Sequence, residues 1–318
     1  MFKLGQVFIY IGLFIAFGYC QAQKSILVGE LKDDQTDEPL AYAHIIFTKT
    51  KYGTTSNEQG RFFLQVDSTL LREDVRISSL GYQSKVMPSY KLSNKTTFLS
   101  PKIEALNEVV VYDRENKNNS RTLNPFSGKQ WVGLGNFSGG AYPSVLARYY
   151  PNDFKDVKKL YLDQVTIYFN PPYHVESKFK LRVLGVNNDL SPAEDLLLSN
   201  LIVHSKKNQR KAKVSLSEFG IEVPEKGFYI AVEHLFIQEN QFEERFDVRL
   251  GDTVYQDVKT IRYGPIFRGV QEKPEDVHAY YRSNVGWKSM DNLKLTGDGN
   301  TFKNGKIVAP AFKVKVVY

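Results

Sequence analysis

Hydrophobic and polar residues alternate along much of this 318-residue chain, and that period of two predicts half-buried β-strands. The cleanest case is 178–186, which reads KFKLRVLGV, with apolar residues at 179, 181 and 183 and cations between them. Similar alternation or longer apolar runs occupy 61–66, 75–79, 160–169, 227–235 and 308–318. Because Gly-, Pro- and Asn-rich turns separate these segments, we predict an all-β protein.

Two local patterns predict how strands are connected in the second half of the chain. Ser191-Pro192-Ala193-Glu194 has the features of a helix start, with a capping serine, a first-turn proline and a carboxylate three residues on. Apolar segments around Val203 and at 212–216 flank the densest basic run, which predicts a solvated hairpin. Contact with a polyanion, such as an acidic glycan or lipopolysaccharide, is the alternative for this run.

Residues 26–111 contain short motifs that together resemble the carboxypeptidase-like regulatory domain. The motifs are Pro39-Leu40, Gly53-Thr54-Thr55, Gly60-Arg61-Phe62 and Ser79-Leu80-Gly81-Tyr82. In Bacteroidetes the same module precedes the plug of many TonB-dependent outer-membrane receptors. The resemblance implies a transthyretin-like, seven-stranded β-sandwich with a non-catalytic role in the cell envelope.

The remainder of the chain divides at a polar stretch, 113–129, which reads DRENKNNSRTLNPFSGK and predicts a flexible linker. Beyond it, FKLRVLGVNNDLSPAEDLLLSNLIVHS and KVSLSEFGIEVPEKGFYIAVEHL resemble exported Bacteroidetes domains with a jelly-roll or galactose-binding-like sandwich. We therefore predict a regulatory-like module at 23–112, a linker at 113–129 and a larger jelly-roll-like sandwich at 130–318.

The first 22 residues have the pattern of a secretory signal peptide. Lys3 precedes an apolar core at 7–17 that is short for a bilayer span, and Cys20-Gln21-Ala22 fits a cleavage site. Acylation of Cys20 in a lipoprotein is the minority alternative, since Tyr19 occupies a position where such signals usually have a small residue. We expect an exported protein of the periplasm, outer membrane or cell surface, which has no cysteine after cleavage.

Composition and motifs indicate a non-catalytic protein. Loss of Lys3 lowers the formal net charge from +7 to +6, a modest excess, and no nucleic-acid-binding motif is present, so we expect no nucleic-acid partner. The five histidines lie outside zinc-ligand spacings, and Asp276 with His278 has no nucleophile motif nearby. A cryptic hydrolase is the least favoured hypothesis.

Two oxygen-rich turns bear on metal binding. Asp33, Asp34, Asp37 and Glu38 cluster in one, and 187–189, Asn-Asn-Asp, form the other. Neither has the spacing of an EF-hand, so both are interpreted as ordinary turns, with Ca²⁺ left open as an alternative. We predict no metal site and no cofactor.

Four aromatic residues are the candidate ligand-binding residues: Trp131, Tyr149, Tyr281 and Trp287. Aromatic rings flanked by polar groups stack on sugar faces, although burial in the core is the competing interpretation for both tryptophans. Only one residue of a tyrosine pair such as 280–281 can face a common site. The leading hypothesis is an envelope accessory protein, with association with the membrane as an open alternative, that binds envelope polysaccharide or an outer-membrane protein. The alternative is a structural component that docks by edge-strand pairing.

Overall fold

The structure is a computed structural model that describes residues 24–50, 52–102, 119–123, 131–136, 143–157, 159–170, 175–250, 252–283, 286–292 and 306–318. Strands dominate these ranges, and no helix within them is long and apolar enough to cross a membrane. The short 3-10 helices there are Ser68–Arg72, Ser89–Lys91, Ser217–Phe219, Gln238–Asn240, Pro274–Asp276 and Met290–Asn292. The predicted signal peptide lies outside the described residues.

The first sandwich contains seven strands in two sheets, which confirms the predicted seven-stranded architecture. Its strands are β1 (Lys24–Asp33), β2 (His44–Phe47), β3 (Gly53–Thr55), β4 (Arg61–Asp67), β5 (Asp74–Ser78), β6 (Lys85–Pro88) and β7 (Lys95–Leu99). One sheet has the order β4-β1-β7 and the other β3-β2-β5-β6. Alternate apolar residues of both sheets, including Leu31, Ile45, Phe62 and Ile77, meet in a single buried cluster.

The second sandwich begins at β8 and contains the remaining strands. They are β8 (Ser120–Leu123), β9 (Trp131–Leu134), β10 (Val145–Tyr150), β11 (Tyr161–Tyr168), β12 (Ser177–Val186), β13 (Pro192–Asp195), β14 (Leu201–Ser205), β15 (Lys211–Ser215), β16 (Phe228–His234), β17 (Gln241–Leu250), β18 (Thr253–Tyr263), β19 (Phe267–Glu272), β20 (Ala279–Ser283), β21 (Gly286–Ser289), β22 (Ile307–Pro310) and β23 (Phe312–Val317). Every sheet described draws its strands from one sandwich only.

Three sheets enclose the main core of the second sandwich. A seven-stranded sheet has the order β13-β12-β16-β10-β20-β21, with β14 also paired to β12, and it faces the sheets β15-β11-β23-β8 and β22-β19-β9. Phe179 of β12, Phe267 of β19 and Phe169, which directly follows β11, pack with ring centroids 5.1–6.1 Å apart. Burial of each such side chain contributes about 1.5–3 kcal/mol, so the sheets are held together chiefly by this apolar centre.

Two local expectations are wrong. Ser191-Pro192-Ala193-Glu194 does not start a helix, because 192–195 pair with β12 as the edge strand β13, where the missing N–H of proline is tolerated. The basic run is not the turn of a hairpin, since β14 pairs with β12 and β15 with β11, in different sheets. Within the expected linker, β8 pairs with β23 and turns Leu123 onto the main core.

Candidate functional site

One face of the seven-stranded sheet points away from the main core, and we call it the outer face. Its residues form three rows across the strands because alternate side chains of each strand share a side. The rows are Leu184–Tyr229–Tyr149–His278, Arg182–Ala231–Ala147–Tyr280–Ser289 and Lys180–Glu233–Val145–Arg282–Trp287. The face therefore combines aromatic rings with charged side chains over five strands.

Tyrosine rings cover the centre of the outer face. The ring of Tyr229 lies 5.3 Å from that of Tyr149 and 5.9 Å, edge-on, from that of Tyr280. Ala147 of β10 lies between β16 and β20, and its small side chain leaves room for the rings of Tyr229 and Tyr280 to meet above it. The hydroxyl of Tyr229 donates to the carbonyl of Leu190, and burial raises the pKa of this phenol, so it stays protonated. The centre of the face is thus fixed before any ligand arrives.

The rim of this cluster is accessible. Tyr149, Tyr280 and Trp287 are half-buried against the apolar residues of the outer face, so part of each ring meets solvent. The guanidinium of Arg282, which is exposed, lies 5.8 Å from the centroid of the Trp287 ring. Tyr149 and Trp287 are roughly 10 Å apart across the strands, because β20 lies between β10 and β21, and roughly 13 Å apart along them, so their backbones are roughly 16 Å apart. Rings and a cation therefore share a patch about as wide as two or three strands.

The structure brings together two of the four predicted binding residues. Tyr149 and Trp287 lie on the outer face, whereas Tyr281 packs against the main core on the other side of β20. Its neighbour Tyr280 takes the outward position, because successive residues of a strand face opposite sides. Trp131 lies on β9 in another sheet, 40% exposed, and its ring stacks under the guanidinium of Arg268.

A buried carboxylate, Glu233, marks the charged end of the outer face. Its Oε1 accepts from Nε2 of His44 at 2.5 Å and lies 3.2 Å from Nζ of Lys180, and its Oε2 accepts from Nη1 of Arg182 at 3.1 Å. Burial alone would raise the pKa of Glu233, but the charges of Lys180, His44 and Arg182 hold it well below its ordinary value. Glu233 is therefore an anion shared by both sandwiches.

Further contacts at this end join the two sandwiches. The hydroxyl of Thr54 donates to the carbonyl of Phe236 at 3.2 Å, and the amide of Phe236 donates to the hydroxyl of Thr55 at 3.1 Å. Tyr42 shares an apolar cluster with Leu235 and Ile237. The first sandwich thus borders the outer face at the Glu233 end. Sequence reasoning missed this junction because its partners are separated by more than 180 residues, as in the 189-residue spacing of His44 and Glu233.

The residues considered for metal binding and catalysis have other partners. Oδ1 of Asp33 accepts from the amides of Gln35 and Thr36, and its Oδ2 accepts from the hydroxyl of Tyr82, as in a capped turn. Within the described ranges, no three His, Cys, Asp or Glu side chains converge on a common point. The ring of His278 lies 5.8 Å from that of Tyr149 and is tilted by 58° relative to it.

A comparison with known protein families finds a match for the first sandwich. Residues 27–111 match the family model of the CarboxypepD_reg-like domain. This match begins within β1 and extends beyond β7, and it confirms the resemblance seen in the motifs; we call strands β1–β7 the regulatory-like domain. The family is a regulatory one, which agrees with a non-catalytic role for this part of the chain.

The comparisons say less about the second sandwich. No curated protein matches the chain. One solved structure to which the chain is similar contains the cysteine protease and lectin-like domains of Cwp84, a surface layer associated protein of Clostridium difficile. The identity is 11% and the TM-score 0.30, over 59% of this chain and 36% of that one. At this level of similarity, the architecture of the second sandwich rests on its own strands and core.

Proposed function

We propose that this chain is an exported, non-catalytic binding protein of the bacterial cell envelope, and that the outer face of its second sandwich holds carbohydrate. The observation that carries the proposal is the half-buried set Tyr149, Tyr280 and Trp287, which presents partly exposed rings on one rigid sheet. The regulatory-like domain supports a non-catalytic role, and the apolar segment at the N-terminus supports export.

The chemistry of the outer face suits a sugar. The C–H faces of a pyranose pack against aromatic rings, and stacked ring contacts contribute about 0.5–1.5 kcal/mol beyond area burial. Arg282 and His278 are exposed beside these rings and offer hydrogen bonds to hydroxyl groups. Because Tyr229 is held by Leu190 and Tyr149 by the carbonyl of Lys226 at 2.7 Å, the face loses little side-chain entropy on binding.

The test is calorimetric titration of the mature chain, from Gln23, with neutral polysaccharide fractions from the native envelope. Trp287→Ala and Tyr280→Ala should each weaken binding about tenfold, which corresponds to about 1.4 kcal/mol. Tyr255→Ala is the matched control, since this ring is 51% exposed on β18, away from the face, and should leave binding unchanged. Equal affinities for all four proteins would overturn the assignment of the outer face.

A second candidate function, docking to an outer-membrane protein, is favoured by the β17–β18 hairpin. Its strands of 10 and 11 residues pair with each other and with no third strand in the described chain. At about 3.3 Å per residue the hairpin is roughly 30 Å long, and both outer edges offer backbone groups for strand addition.

Affinity capture from detergent-solubilised envelope tests this docking. Residues 244–260 are replaced by Asn-Gly, which connects the paired residues Glu243 and Ile261 by a two-residue turn. An outer-membrane protein captured by the intact chain and lost with the shortened hairpin supports docking. Capture that is equal for both chains contradicts it, and retained polysaccharide binding shows that the shortened protein is folded.

A further inference from the structure

The outward side of the four-stranded sheet carries cations on both sides of its central strand β11. Val165 and Ile167 of β11 enter the main core, so Thr166 and Tyr168 point outward. Lys211 of β15 lies opposite Tyr168, and Thr166 lies between Lys213 of β15 and Lys313 of β23. The nitrogen of Lys313 lies 5.9 Å from the centroid of the Tyr168 ring.

The same surface continues onto the neighbouring three-stranded sheet. Phe169 at the end of β11 bridges to Phe267 of β19, which places Arg268 and Trp131 beside Tyr168. The Trp131 ring lies 6.2 Å from that of Tyr168 and 4.5 Å from the guanidinium carbon of Arg268. We call the combined surface the basic face; its residues are Trp131, Tyr168, Arg210, Lys211, Lys213, Arg268 and Lys313.

The cations of the basic face lack carboxylate partners among the described residues. No ion pair there involves any of its five cations, which are Lys211, Lys213, Lys313, Arg210 and Arg268. By contrast Lys315, two residues after Lys313 on β23, pairs with Asp163 at 2.9 Å. The Nε of Arg268 is shielded from water and has no hydrogen-bond partner among the described residues. Burial and the charge of Arg210 lower the pKa of Arg268, which shows that the positive charges repel one another. An anion placed on this face relieves that repulsion.

We propose that the basic face is a second binding site, and that its ligand is a linear polysaccharide bearing carboxylate groups. Alternate residues of a strand are about 7 Å apart, so Lys211 and Lys213 present charges at regular steps along the sheet. Trp131 and Tyr168 lie among these charges and supply flat surfaces for sugar rings. This site goes beyond the proposed function, because it lies across the main core from the outer face and selects for charge.

The test measures binding of the mature chain to polygalacturonate, with dextran as the neutral comparison and vesicles containing phosphatidylglycerol as the lipid comparison. Two triple variants each remove three positive charges, but from different surfaces. The single variant Lys313→Gln removes one positive charge from the basic face. The triples are Lys211→Gln/Lys213→Gln/Lys313→Gln on the basic face and Lys85→Gln/Lys91→Gln/Lys95→Gln, all exposed, on the regulatory-like domain.

The basic-face triple should weaken polygalacturonate binding at least tenfold, and Trp131→Ala several-fold, while the control triple changes it less than twofold. Equal losses in both triples would show a general charge effect and overturn the proposal, as would binding to the vesicles but not to polygalacturonate, or binding to neither. Trp287→Ala separates this proposal from the outer-face proposal, because it should leave polygalacturonate binding intact.

Discussion

Replacement of Glu233 by glutamine tests how the two sandwiches are held together. The carboxylate contacts His44 of the regulatory-like domain at 2.5 Å and Lys180 and Arg182 of β12 at 3.2 and 3.1 Å. Glutamine has nearly the same shape but no charge, and its amide nitrogen cannot accept from these donors. The variant therefore removes the shared anion and leaves the surrounding cations in place.

The magnitude follows from burial. The side chains of Lys180 and Glu233 are 5% and 4% exposed, so the lysine would remain buried without its anion. Removal of one partner of a buried ion pair costs about 3–5 kcal/mol. Arg182 keeps a second carboxylate, Asp195, at 2.6 Å and suffers less. We therefore expect a loss of about 3 kcal/mol in the free energy of unfolding at pH 7.

Urea denaturation measures this loss, and Glu244→Gln is its control. Glu244 also pairs with an arginine, Arg262, at 2.8 Å, but the two side chains are 40% and 34% exposed, so its loss should cost below about 1 kcal/mol. Glu233→Gln combined with Lys180→Met should recover part of the stability, because no buried charge is then left unpaired at that position. Losses of equal size for Glu233→Gln and Glu244→Gln would refute the reasoning.

Three further predictions concern stability. Burial lowers the pKa of His234 from 6.5 to about 4, so the unfolded chain binds the proton more tightly than the folded one. The free energy of unfolding should therefore fall by roughly 3 kcal/mol as the pH drops from 6.5 to about 4. His234→Gln should flatten this pH dependence, measured by urea denaturation. Asn240→Ala should cost about 2 kcal/mol in the same assay, because its buried amide bonds both backbone groups of Lys178. Gly227→Ala should lower the melting temperature far more than Gly81→Ala: both have positive φ, but only at Gly227 does a Cβ meet backbone, at 2.2 Å.

Protonation neutralises Glu233 and gives His234 a positive charge, but in both cases it lowers the stability of the folded protein. Its pKa is lowered from 4.5 in the folded protein, so its contribution is fully present above about pH 4.5 and is lost as the pH falls through the folded value. Glu233→Gln should therefore remove an acid-induced loss of stability that lies below the window of His234. Identical acid profiles for the variant and the parent chain, measured by circular dichroism, would contradict this assignment.

Strand positions were predictable wherever burial imposed a period of two. The alternation at 178–186 corresponds to β12, since the apolar residues enter the core while the cations face the other sheet surface. The helix start at 191–194 was wrong because capping chemistry is local, whereas the pairing of 192–195 with β12 is a tertiary contact. The basic run failed as a hairpin for the same reason: its flanking strands find partners in different sheets.

The candidate site was predictable only in part. Alternation indicates that one of Tyr280 and Tyr281 faces outward, but the choice depends on which side of β20 the main core occupies. The junction depends on Glu233 and His44, and nothing local to either residue indicates the other. Sequence therefore identified the residue types of the outer face, while the sheet order determined which of them meet.

The two faces of the second sandwich should respond differently to salt, because their charges are arranged differently. On the outer face Lys180 and Arg182 are neutralised by Glu233 and Asp195, and the exposed Arg282 meets a neutral ligand, so recognition there depends on ring contacts and hydrogen bonds that salt hardly screens. On the basic face Lys211 and its neighbours lack such partners in the described chain, so binding there depends on a field that extends about 10 Å at 0.1 M salt and about 3 Å at 1 M. Calorimetric titrations at both concentrations measure this difference. At the higher salt concentration polygalacturonate binding should be lost, whereas the affinity for neutral polysaccharide should stay within about twofold of its value at the lower concentration. If both ligands weakened in parallel, they would share one charged site, and the division of the sandwich into two binding faces would be wrong.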